Sequence, residues 1–99
     1  MTPEEQRVAI AKACGWTRFV PETIQYTAQR KDGKWGEIPD YPHDLNAMHD
    51  AESVLFKQND ETACEYEKTL NVMTTGWSWF ATAAQRAEAF LRCLNLWKD

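Results

Sequence analysis

Apolar positions along this chain recur at two spacings, and the change between them marks out its elements. Val8, Ile10, Ala11 and Cys14 give residues 3–14 one apolar face of a helix. Thr2 and Glu5 stand three apart as a capping box, Pro3 suits the first helical position, and Gly15 is a natural left-handed stop. From 16 to 38 the spacing shortens to two. Residues 23–28 alternate with β-branched and aromatic side chains, Asp32-Gly33 is a strong hairpin signal, and residues 34–38 lead away from it. Ile24, Tyr26 and Ala28 would share a face, with Trp35 packed across the pair, and Pro39 and Pro42 end the ladder.

Helical spacing then returns. Asp44 caps a helix carrying Leu45, Met48, Ala51 and Leu55, and Asn59 or Asp60 opens another carrying Ala63, Tyr66, Leu70 and Met73. Gly76 interrupts, and Trp77-Ser78-Trp79-Phe80 reads as a third strand with Trp77 and Trp79 on one face. Thr82 and Gln85 form a second capping box. The helix it starts turns Ala83, Ala87, Phe90, Leu94 and Trp97 inward and pairs Glu88 with Arg92 outside. The expected order is α-β-β-α-α-β-α. Helices on both faces of a small three-stranded, mainly antiparallel sheet would bury the most aromatic surface.

Composition sharpens this only in part. The 99 residues suffice for one domain, 1–99, and 43% apolar with 26% charged is ordinary for a globular chain. The net charge of −4 argues against a generic nucleic-acid binder. Acid is concentrated: Asp40, Asp44, Asp50, Glu52, Asp60, Glu61, Glu65 and Glu67 are accompanied by one lysine, Lys57. Arg30, Lys31 and Lys34 cluster at the hairpin instead. The acidic stretch is either a solvated surface or a face for a basic protein partner. Cys14, Cys64 and Cys93 show no CxxC spacing, so neither a disulfide framework nor a zinc site is indicated. With no long apolar run and no basic leader before Thr2-Pro3-Glu4-Glu5, the expectation is a cytoplasmic protein.

Three patches carry a resemblance. Ala13-Cys14-Gly15-Trp16, then Pro39-Asp40-Tyr41 with Asp44-Leu45-Asn46-Ala47-Met48-His49, and finally residues 80–91 resemble small phage and prophage proteins of the phage ABA sandwich family. The resemblance implies a three-layer α-β-α sandwich and a phage-encoded protein acting in a bacterial cytoplasm. It implies no catalytic residues and no cofactor.

Familiar chemistries are missing from the sequence. There is no GxGxxG, P-loop or HExxH, and His43 and His49 are spaced for different faces of a helix. His43 with Asp40 and Asp44 reads as a capped turn before it reads as a metal site. Cys14 and Cys93 lie within amphipathic helices, and Cys64 alone stands near a helix start. No enzyme is expected.

The candidate ligand site is the join between the third strand and the last helix. There Thr82, Ala83 and Gln85 present helix-start N–H groups, Arg86 lies one turn in, and Trp77 and Trp79 precede them. Such donors, a cation and indoles suit a small anionic, nucleotide-like ligand, in a pocket completed between copies of a homo-oligomer. The same residues also describe a well-capped helix behind two core tryptophans. Two functions therefore stand side by side. One is a non-enzymatic phage protein that sequesters a nucleotide-type host immune signal. The other is a protein–protein inhibitor or assembly factor that uses Asp60, Glu61 and Glu65.

Overall fold

The computed structural model describes residues 1–18, 27–30, 32–58, 60–76 and 80–98. Four helices dominate it: α1 (Pro3–Ala13), α2 (Leu45–Gln58), α3 (Asp60–Met73) and α4 (Ala83–Cys93). Two short strands, β1 (Thr27–Gln29) and β2 (Trp35–Glu37), form an antiparallel ribbon.

Local chemistry explains the helix ends. In α1, Thr2 accepts from the Glu5 amide and Glu5 reaches back to the Thr2 amide, both at 3.2 Å. Gly15, at φ +99, lets the chain leave after Cys14, a conformation that would strain a residue with a Cβ. Asp44 caps α2 by accepting from the amides of Asn46 and Ala47. At the end of α3 the Gly76 amide returns to the Asn71 carbonyl at 2.8 Å.

The core forms where the inner faces of these helices meet. α4 packs against α1, α2 and α3, which makes it the central helix. Ile10 and Ala11 come from α1, Met48, Ala51 and Leu55 from α2, Tyr66 and Leu70 from α3, and Ala87, Phe90 and Leu91 from α4. Each large side chain so buried contributes roughly 1.5–3 kcal/mol. Tyr66 stands edge-on to Phe56 on one side and to Phe90 on the other, with centroids 6.2 and 6.4 Å apart. The ribbon adds Ala28, and Ile38 just beyond it is buried as well. Arg7 ties α1 to the ribbon, donating to the Ile38 carbonyl from Nε at 2.9 Å and pairing with Glu37.

This is not the three-stranded α-β-α sandwich expected. Among the described residues the sheet has two strands. A third segment does cross it, but from the other side of the sequence: Thr17 bridges Gln29 through both backbone hydrogen bonds. Of the expected third strand, Trp77, Ser78 and Trp79 lie outside the described residues, and Phe80 is an exposed residue in a helical turn leading to α4. The physical reason is area. Inner faces from four helices already cover one another, so a sheet is not needed as a middle layer.

Trp35 also departs from expectation. It pairs with Gln29, one residue from Ala28, and so shares the face opposite the buried alanine, where it is 53% exposed. Ile24 and Tyr26 lie outside the described residues.

Candidate functional site

The start of α4 is built as its sequence suggests. Thr82 Oγ accepts from the Gln85 amide at 3.1 Å, and Gln85 returns to the Thr82 amide at 2.9 Å. Each side chain therefore holds the backbone amide of the other residue. Ala83 is half-buried, Ala84 is exposed, and Ala81 is buried behind them. Trp77 and Trp79 lie outside the described residues, so no stacking surface is assigned to this end.

Arg86 is the residue whose setting differs most from a receptor for ligand charge. It turns inward, 8% exposed, and its Nη1 stands 3.1 Å from both carboxylate oxygens of Glu52, itself 6% exposed. Its Nε donates to the Ala81 carbonyl at 3.2 Å. The positive charge proposed for a bound anion is thus compensated by a carboxylate of the chain itself. A buried guanidinium demands this, because an uncompensated charge in the interior costs several kcal/mol. His49, one turn earlier on α2, sits 4.0 Å from the same carboxylate at the solvent edge.

Tyr66 completes the buried cluster from α3. It is 2% exposed, and its hydroxyl has no hydrogen-bond partner among the described residues. Burial pushes its phenol above the ordinary range, the Glu52 charge adds to the shift, and Arg86 opposes it. The hydroxyl thus feels both charges. Glu52 and Tyr66 were not among the sequence-derived site residues, although a carboxylate between Met48 and Leu55 on an apolar stripe is a signal that a cation must face it.

The second candidate surface is the outward face of α3. Glu61, Glu65, Lys68 and Val72 recur at helical spacing, and all four are exposed, Val72 to 80%. Glu67 is exposed beside them, and Asp60 opens the helix. This surface is acidic towards the N-terminal end and apolar towards the C-terminal end.

Burial raises the Cys14 and Cys93 thiols to about 11, which keeps them protonated and poorly nucleophilic near neutrality. His43 stands 3.1 Å from both oxygens of Asp40 in an exposed turn, while Asp44 is engaged as the α2 cap. Among the described residues no group of three metal-binding side chains converges, and no helix is long and apolar enough to cross a membrane.

The class defined by this fold and these surfaces is a small helical domain with a buried ion pair and an acidic outer helix. No family model matches the chain, and neither does any curated protein or solved structure. The likeness to phage sandwich proteins accordingly rests on the three sequence patches alone.

Proposed function

We propose that this chain is a non-enzymatic binding protein that engages a protein partner through the outward face of α3. The observation carrying this reading is the exposed row Glu61, Glu65, Lys68 and Val72, where carboxylates and a large apolar contact lie on one helical stripe. Charged side chains of one prevailing sign steer encounter with a basic partner, and an apolar side chain beside them supplies area that can be desolvated. A receptor for a small anionic signal has less support, because Thr82 and Gln85 hold each other and Arg86 holds Glu52.

The test is capture from a lysate of the cell in which the chain naturally occurs. Binding should weaken as ionic strength rises and disappear in Glu61→Lys/Glu65→Lys, while Thr82→Ala leaves it in place. Salt-insensitive capture, or capture unchanged by the reversal, contradicts the proposal. Calorimetric binding of cyclic nucleotides or ADP-ribose derivatives would move the reading back to sequestration.

A further inference from the structure

We infer that the partner fitting the outward face of α3 is a second copy of this chain, which presents the basic end of its β-ribbon. The inference rests on the reading of α3 just given and adds the identity of what covers it.

The ribbon end is assembled by register. Thr17 pairs with Gln29 and Gln29 with Trp35, so the next row across the three segments holds Trp16, Arg30 and Lys34. The Arg30 amide donates to the Lys34 carbonyl at 2.7 Å, which continues the pairing into that row. The Arg30 guanidinium lies over the Trp16 ring, 5.7 Å from its centroid. It also lies close to Gly36, where a Cβ would come within 3.1 Å of Arg30 Nε. An exposed arginine positioned this way loses less freedom on meeting a carboxylate than a solvated one would. Arg18 and Lys34 are exposed as well, and Trp35 presents its indole on the opposite face. Asp32 is among them, with its carboxylate accepting from the Lys34 amide in the turn.

The complement to this end exists in the same chain. The ribbon is fastened to α1 through Arg7, whereas α3 packs against α2 and α4. One copy therefore carries a basic ribbon end and an acidic surface with an exposed Val72, on different parts of its fold. Two copies can bring these unlike surfaces together. Such a contact is heterologous, so it builds a ring if the rotation closes and an open chain if it does not.

Sedimentation velocity of the full chain, from micromolar to millimolar at low and high salt, tests the inference. Wild type should gain mass with concentration and lose it as salt screens the contact. Arg30→Glu/Lys34→Glu and Glu61→Lys/Glu65→Lys should each weaken association by about tenfold or more. An equimolar mixture of the two variants should recover it, because each reversed surface then meets its complement. Lys34→Glu alone should act in the same direction while keeping the Arg30–Trp16 contact, and circular dichroism checks that every variant is folded. A wild type that stays monomeric throughout, a mixture that recovers nothing, or a ribbon reversal without effect would overturn the second copy as partner. If wild type is monomeric yet still captures another protein in a Glu61- and Glu65-dependent way, the second copy is discarded and the α3 reading stands. If reversing α3 changes neither experiment, both fall.

Discussion

The interior of the α2–α3–α4 bundle and the outward face of α3 use the same kinds of charged side chain to opposite ends. Inside, Glu52 and Arg86 meet at 3.1 Å with both side chains buried, and Tyr66 is buried with them. Outside, Glu61 and Glu65 stand in solvent with Lys68 and Val72 on their stripe. An inward charge must be matched by the fold and is then unavailable to a ligand. An outward charge contributes little to folding and stays exposed to solvent. Arg86, the residue that looked most like a receptor for an anion, belongs to the first group.

The sharpest way to break this contrast is to orphan one buried charge. Glu52→Ala should cost about 3–5 kcal/mol, because Arg86 would be left in the interior without its carboxylate. Urea denaturation measures it. Replacing both partners, as in Glu52→Leu/Arg86→Met, should recover most of that loss. A Glu52→Ala change costing less than the loss of an exposed pair would mean that Arg86 reaches solvent readily. Thr82→Ala should follow at about 1 kcal/mol, through loss of the α4 cap. The exposed counterpart on the same helix, Glu88 with Arg92 at 2.8 Å, should yield only about 0.3–0.5 kcal/mol in a double-mutant cycle.

The thiols extend the contrast to pH. Burial raises Cys14 and Cys93 from 9 to about 11, so the fold favours their protonated forms. That contribution is fully present below pH 9 and is lost as pH climbs from there towards 11. Stability measured over this window should decline. Alkylation followed by mass spectrometry near neutrality should label exposed Cys64 well before the other two. Equal labelling of all three would contradict the burial assigned to Cys14 and Cys93.

Much of the helical framework was legible in the sequence because local chemistry writes it. Both capping boxes, the Asp44 cap and the Asp32-Gly33 turn depend on residues at most three positions apart. The sheet was less legible, since pairing is a long-range choice. Thr17 bridges Gln29 across a stretch whose alternation alone does not specify an outside neighbour. Trp35 faces away from Ala28 because it stands opposite Gln29, and that register is not written in the alternation. At the candidate site the cap is readable, whereas Arg86 reads as a ligand contact or a member of a surface pair, and its actual partner Glu52 lies 34 positions away. Glu52 and Arg86 each occupy an apolar stripe, one acidic and one basic, and that pair of exceptions was the available clue.

In the proposed reading the carboxylates of α3 serve association and not the fold. Thermal unfolding and sedimentation of Glu61→Lys/Glu65→Lys, measured on one preparation, address it most directly. Stability should stay within about 0.5 kcal/mol of wild type, as for surface changes generally, while the salt-sensitive association is lost. A variant that unfolds readily, or that associates as before, would contradict it.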